Sequence, residues 1–395
     1  MPDRLAYLDH NATTPVHPEV AAAVAAALAL GGNPSSVHAA GRAARRAVER
    51  ARAEVAALIG AEPDDIVFVS GGSEANQLAL RGCGRERFIV SAIEHDSVLG
   101  AVPEAEILPV TADGVVDRDA LARLLAADRR PALVSVMLAN NETGVIQPVA
   151  ELAALAHAHG ALLHCDAVQA AGKLPIDWRR LGADLLSLSA HKIGGPQGVG
   201  ALAVAPHLEL RPAQRGGGQE GGRRAGTENV PGIVGFGRAA AIAASAPAEN
   251  ARLAALRDEA ERLLRAIAPE ARIFGAAAPR LANTLSITMP GVRAETQVMA
   301  LDLAGVMVSA GAACSSGKVR PSHVLRAMGA SAEEAASAIR ISFGWSSTPE
   351  DVAQLAAAWG ALYARAGKGR GEAPAPLPDP PPLAGGVGAP QASAA

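Results

Sequence analysis

The sequence predicts an α/β protein with a mainly parallel sheet, joined to a smaller α+β unit. Two patterns and one bulk property predict it. Short apolar β-type runs alternate with helical patterns through the first part of the chain, which is the signature of βαβ units. From about Glu249 the alternation gives way to a different order of helices and strands. With 49% hydrophobic and 19% charged residues in 395, the chain can bury a large core. In order, Ile66–Ser70, Arg87–Ala92, Ala132–Leu138, Ala161–Cys165, Asp184–Ser189 and Val199–Ala205 read as buried strands. Arg118–Ala127 and Val149–His159 read as helices between them, with apolar residues at helical spacing. In the second part, a charged helix (Asn250–Ala266) precedes a strand near Thr284–Thr288, a helix after Arg293 and a strand near Val306–Ser309. A Gly/Ser/Cys loop, another helix, a strand at Ile339–Phe343 and a last helix from Pro349 follow. The stretch Gly367–Ala395 is rich in Pro, Ala and Gly, with Pro380, Pro381 and Pro382 consecutive, and reads as a disordered tail.

Composition excludes several classes of function. A net charge of −3 and 3% aromatic residues argue against a protein that neutralises phosphates or stacks on bases, so no nucleic acid is expected. The most apolar run, Val20 to Leu30, is too short to span a membrane. No basic region followed by an apolar stretch marks a secretory signal. Three cysteines, Cys83, Cys165 and Cys314, in no paired spacing argue against a disulfide framework and fit a reducing cytoplasm.

Open α/β sheets bind ligands at the carboxyl ends of their strands, so the residues that follow each strand are the candidates. Gly71-Gly72-Ser73 before a helix could hold an anion on backbone N–H groups, or be an ordinary turn with Ser73 as the cap. His95, after the next strand, could be structural or catalytic. Asn141, in Asn140-Asn141-Glu142-Thr143-Gly144, could be a turn residue or offer its amide to a ligand. Asp166 ends one strand, with Gln169 three residues on, and Ser189-Ala190-His191-Lys192 ends the next. An apolar strand running into His-Lys is unusual, because a buried lysine is costly unless neutralised. A desolvated lysine can bond an aldehyde, and an aspartate on the neighbouring strand suits the ring nitrogen of pyridoxal phosphate. The anion site at Gly72–Ser73 then receives the cofactor's phosphate.

Gly216–Gly221 formally matches G-x-G-x-x-G, yet no apolar strand precedes it. It reads as a flexible loop rather than a dinucleotide site. His157, His159, His164 and Cys165 are spaced so that neighbours point apart, which disfavours a metal site. Cys314, within Ser309–Lys318, lies among small residues without a bulky anchor. That placement suits a nucleophile that reaches into a site and presents its product elsewhere, or else a free surface thiol.

Taken in order, these stretches resemble the cysteine desulfurases of the class V aminotransferase superfamily, which adopt the pyridoxal-phosphate fold type I. The resemblance runs from Tyr7 to about Ala364 and includes Leu8–Pro15 (LDHNATTP), Gly32–Ser36 (GNPSS), Ser70–Asn76, Glu94–His95 and Asn140–Gln147 (NNETGVIQ). It continues through Asp166–Lys173 (DAVQAAGK), Ser187–Gly200 and Gly216–Asn229. Ser309–Gly317 followed by Arg320–Arg326 is similar to the long-loop group I, which serves iron–sulfur cluster assembly and nitrogen fixation.

The resemblance implies a large domain at 16–248 with a seven-stranded, mainly parallel sheet. It implies a small domain made of 1–15 and 249–366. Lys192 is then the amine that carries pyridoxal phosphate, Asp166 the partner of its pyridine nitrogen, and Gln169 that of its phenolic oxygen. His95 would stack on the ring and assist proton transfer. Gly72, Ser73, Ser189 and His191 would hold the phosphate, and Thr227 would reach the phosphate in the partner subunit of a homodimer. Asn141 and Arg340 would receive the carboxylate of L-cysteine, and Cys314 would accept its sulfur as a persulfide and serve as a transient iron–sulfur ligand. The sulfur would pass to an acceptor such as an iron–sulfur scaffold protein. Two features depart from the family pattern: Trp345 follows Gly344 where the family often has arginine, and the Pro-rich tail lacks the scaffold-gripping segment. A selenocysteine lyase or other β-eliminase on the same fold, and an idle paralogue acting as an assembly scaffold, are the alternatives.

Overall fold

The structure is a computed structural model and describes residues 4–244, 247–311 and 321–368. In chain order the first elements are β1 (Ala6–Tyr7), α1 (Pro18–Leu28), α2 (Ala39–Ile59), β2 (Ile66–Val69), α3 (Gly72–Gly82), β3 (Arg87–Ser91), α4 (Asp96–Leu99) and β4 (Glu106–Leu108). Then come α5 (Arg118–Ala127), β5 (Ala132–Ser135), α6 (Val149–Ala158), β6 (Leu162–Asp166), α7 (Trp178–Leu181), β7 (Leu185–Ser189), β8 (Gly200–Val204) and α8 (Val230–Ala244). The rest are α9 (Pro247–Ile267), β9 (Thr284–Thr288), α10 (Ala294–Leu303), β10 (Val306–Met307), α11 (His323–Ala327), α12 (Ala332–Ser337), β11 (Ala338–Ser342) and α13 (Pro349–Lys368).

Seven strands form one sheet in the order β2-β8-β7-β6-β5-β3-β4. β4, β3, β5, β6 and β7 pair in parallel, while β8 runs antiparallel to both β7 and β2. Six strands therefore point the same way and β8 alone is reversed. β2, β3 and β5 to β8 are buried along their whole length. Both faces of the sheet are covered, which is why these strands read as near-continuous apolar runs rather than alternating ones. α2 presents Ala44, Val48, Ala51, Val55 and Ile59 to one face of the sheet, a helical stripe. α8 packs against α1 and α2 at close range: a Cβ at Gly237 would lie 2.6 Å from Ala51 Cα. On the opposite face, Ala75, Leu78 and Ala79 of α3 meet Val67, Leu133 and Leu202.

The second part builds a separate apolar cluster. β9 and β11 pair antiparallel, β1 and β10 pair in parallel, and Leu285, Ile287, Ile339, Ile341 and Phe343 pack with Leu8, Leu355 and Trp359. At Gly344 an added Cβ would overlap the buried His10 ring, so the turn after β11 admits only glycine against that histidine. Trp345 donates its indole N–H to the Pro15 carbonyl at 3.0 Å and tilts against His17.

Three details differ from the sequence expectation. The strand expected at Ala132–Leu138 leaves the ladder after Ser135, although Val136 and Leu138 still donate to the His164 and Asp166 carbonyls. β4 was not anticipated, because it is a three-residue edge strand with Ile107 exposed. The loop Gly216–Gly221, expected to be flexible, is pinned by Glu220. This residue takes φ +49°, sparsely populated for a residue with a side chain. Its carboxylate accepts two 2.8 Å bonds from the Arg52 fork and a third, also 2.8 Å, from Phe68 N–H. Both side chains are at most 10% exposed. Glu220→Ala is expected to destabilise the fold by about 3–5 kcal/mol, because it strands a buried guanidinium; urea unfolding against wild type measures it. Among the described residues, no helix is long and apolar enough to cross a membrane. The tail expected from Gly367 lies, beyond Lys368, outside the described residues.

Candidate active site

The carboxyl ends of five of the co-directed strands, β2, β3, β5, β6 and β7, meet the N-terminal stretch and β11 around one cavity of about 680 Å³. Of the residues expected at the site, Gly72, Ser73, His95, Asn141, Asp166, Gln169, Ser189, His191, Lys192 and Arg340 all line it. Thr227 does not: it is exposed on the loop before α8 and lines a smaller cavity with Arg224 and Asn229. Cys314 lies outside the described residues.

Local structure explains each placement. β7 runs fully buried into a 3₁₀ turn, Ala190–Ile193, which swings Lys192 towards the N-terminal stretch. There its Nζ donates to the Asn11 and Ala12 carbonyls at 2.7 and 2.8 Å. Burial and the Arg340 cation push the Lys192 amine down to about 8, against the pull of Asp166 and Asp9. Burial, with Lys192 and Lys173 close by, lowers His191 to about 4, and its Nδ1 lies 3.2 Å from Thr13 Oγ1. In the cofactor-free protein, acylation of Lys192 is expected to rise through a midpoint near pH 8 rather than the ordinary 10.5, because the reactive form is the neutral amine. Competitive labelling read by mass spectrometry checks this, and a midpoint at the ordinary value contradicts it.

Asp166 ends β6 and is buried. Asn76 donates to one carboxylate oxygen at 2.8 Å and Val168 N–H to the other at 2.9 Å. Gln169 donates from Nε2 to the Asn11 carbonyl at 2.8 Å. His95 is the N-cap of α4, its Nδ1 accepting from Ser97 N–H at 3.1 Å. Arg340, mid-strand in β11, donates from one nitrogen to Asp9 Oδ1 at 2.7 Å and from another to the Asn141 carbonyl at 3.1 Å. Ser73 is not a cap: Gly71 holds the N-cap position of α3 and no side chain caps it.

These residues fit pyridoxal phosphate. Ser189 Oγ and Arg340 Nε are buried without a hydrogen-bond partner, a state that a bound polar group relieves. A Cβ at Gly72 would lie 2.9 Å from Val168 Cγ2, so the bare N-terminus of α3 and Ser189 share a space suited to an anion. The buried Asp166 carboxylate suits a protonated ring nitrogen.

The histidines and cysteine weighed as metal ligands face different partners. His157 meets Asp184 at 2.9 Å, His164 bridges Ser135 and Ser187 at 2.8 and 2.9 Å, and Cys165 is buried. Sequence reasoning assigns no role to two residues that line the cavity, Asn11 and Asn76, or to Glu94 behind it. Asn11 and Asn76 are scattered amides whose value comes only from long-range contact. Glu94 is buried between β3 and β5, where it accepts from Met137 N–H at 2.5 Å; burial and the neighbouring Asp166 carboxylate raise it well above the usual range. Its adjacency to His95 was the available signal.

Comparison with known proteins agrees with the geometry. The family model for class-V aminotransferases matches residues 6–355. The chain is 46% identical over 364 residues to a cysteine desulfurase of Cereibacter sphaeroides, covering 88% of this chain and 93% of that one. Among solved structures, a NifS-like protein from Rickettsia africae superposes with a TM-score of 0.86 at 36% identity, over 91% of this chain and 99% of the other. A structure described as SspA in complex with cysteine gives a TM-score of 0.75 at 32% identity, over 86% and 98% of the two chains. The family's enzymes depend on pyridoxal phosphate, which suits the cavity just described. With a desolvated lysine, a buried aspartate and this extent of likeness in hand, the chain belongs to the class-V aminotransferase family, among its cysteine desulfurases.

Proposed function

We propose that the protein converts L-cysteine to L-alanine and passes the sulfur on. The observation that carries the reading is the convergence of Lys192, Asp166, Gln169, His95, Asn141 and Arg340 on one cavity. Pyridoxal phosphate, when bound, supplies an electron sink that acidifies the α-proton of an amino acid and weakens its Cβ–S bond. Lys192 would hold the cofactor covalently and, once released, take the proton from the substrate Cα on its Nζ and return it. Its lowered proton affinity suits both tasks at neutral pH. Asp166 would keep a proton at the ring nitrogen, Gln169 would donate to the phenolic oxygen, and His95 would lie over the ring. Gly72, Ser73, Ser189 and His191 would hold the phosphate, joined by Thr227 of the second subunit in a homodimer. Arg340 and Asn141 would orient the substrate carboxylate, since a guanidinium fork matches a carboxylate in two bonds.

Cys314 Sγ would then form an S–S bond with the substrate sulfur as the sulfur–Cβ bond breaks. The proton lost from the Cys314 thiol is balanced by the one gained at Cβ, giving L-alanine and a Cys314 persulfide. An acceptor protein, such as an iron–sulfur scaffold in the cytoplasm, would take the sulfur, with Cys314 touching the growing cluster as cargo. The test is direct. Wild-type protein given pyridoxal phosphate and L-cysteine should release alanine, and borohydride should fix the cofactor to Lys192. A preparation that stays colourless, or fixes the cofactor on another lysine, overturns the reading.

A further inference from the structure

We propose that Lys173 is a positioning residue of this site: it fixes which end of the Gln169 amide faces the cavity. The inference rests on the pyridoxal phosphate reading and assigns Lys173, otherwise only a motif position in Asp166–Lys173, a task within it. Lys173 stands four residues after Gln169, and Gly172, at φ +72°, turns the chain between them. Its Nζ donates to Gln169 Oε1 at 2.8 Å and to Asn11 Oδ1 at 3.3 Å. Among the described residues these bonds reach two amide oxygens and no carboxylate. A lysine kept only for stability would be paired with an acid or replaced by an apolar chain, because an unpaired buried amine is costly.

The geometry is that of a lock. A lysine ammonium donates and cannot accept, so the Gln169 atom it meets must be the oxygen. The Gln169 amide group is thereby turned the other way, where Nε2 donates to the Asn11 carbonyl at 2.8 Å. That same carbonyl accepts from Lys192 Nζ at 2.7 Å. One backbone oxygen thus joins the amine that bears the cofactor to the amide beside it, and Lys173 holds the far end of that amide. The charged and titratable groups facing this cluster are Lys192, His191, Arg340, Asp166, Asp9, His10 and Arg252. Burial and the nearby Lys192 and Arg340 cations bring Lys173 down to about 7, so the lock belongs to the ammonium, holding below that pH and loosening above it.

With the cofactor bound, a donor from Gln169 and a cation behind it favour the deprotonated form of the chromophore. Removing both makes the chromophore keep its proton to higher pH. The experiment titrates the visible band of wild type, Lys173→Met, Lys173→Gln and Lys173→Arg, each loaded with pyridoxal phosphate. The two neutral variants are expected to shift the midpoint upward by about one pH unit, the scale of one hydrogen bond to a charged group. Lys173→Arg keeps charge and donors and should stay near wild type. A loaded neutral variant with the wild-type midpoint overturns the proposal, as does an arginine variant that shifts as far as the methionine one. If Lys173→Met does not fold, Lys173→Gln is read alone. A wild type that takes up no chromophore instead defeats the cofactor reading itself, and the inference with it.

Discussion

Replacing Lys192 by alanine is expected to lower alanine release from L-cysteine by about 10⁴-fold or more, the scale seen when a covalent nucleophile that also moves protons is lost. Borohydride should then fix no cofactor to the chain. The cavity should still take up pyridoxal phosphate by its anion site, since Ser189 Oγ and the α3 N-terminus do not depend on the lysine. The fold should survive, because among the described residues the Lys192 side chain bonds to the Asn11 and Ala12 carbonyls alone, and water can replace it at a cavity wall. Adding a primary amine should restore part of the rate in a buffer-dependent way. A variant that turns over cysteine at even a tenth of the wild-type rate would remove Lys192 from the chemistry.

The second large effect concerns sulfur. Cys314→Ala should reduce alanine formation to background while leaving the visible cofactor band and its response to L-cysteine in place. The chain has three cysteines. Cys83 and Cys165 are buried, and burial pushes both thiols up, Cys165 further still because of the adjacent Asp166 and Glu94 carboxylates. A thiol held protonated is a poor nucleophile, and neither lines the cavity. Persulfide mapping by mass spectrometry after exposure to cysteine is the check. Sulfur found on Cys83 or Cys165, or undiminished alanine release by Cys314→Ala, would contradict the assignment.

Much of this site could be read in the chain because α/β architecture places chemistry at strand ends. Asp166 and Lys192 each follow an apolar run, and both reach the cavity. The six buried strands were legible because burial on both faces leaves only apolar residues. What stayed hidden lacked that contrast. β4 is short and lies at the edge, and β1 has two residues. Asn11 is one asparagine among several until the fold brings it within bonding distance of Lys192, Gln169, Lys173 and Thr284. Glu220 reads in the sequence as part of a flexible loop because its anchor, Arg52, lies far away along the chain. Periodicity reports which face of an element is covered, and says nothing about pairs formed across the fold.

The fit of Gly344 against the His10 ring sets an order on how this protein can change. A larger side chain after β11 has no room while the imidazole stays, whereas trimming position 10 first leaves a hole that a newcomer at 344 can fill. The two sites should therefore drift as a pair, histidine yielding before glycine. A library that randomises either one alone will recover mostly wild type or unfolded chains.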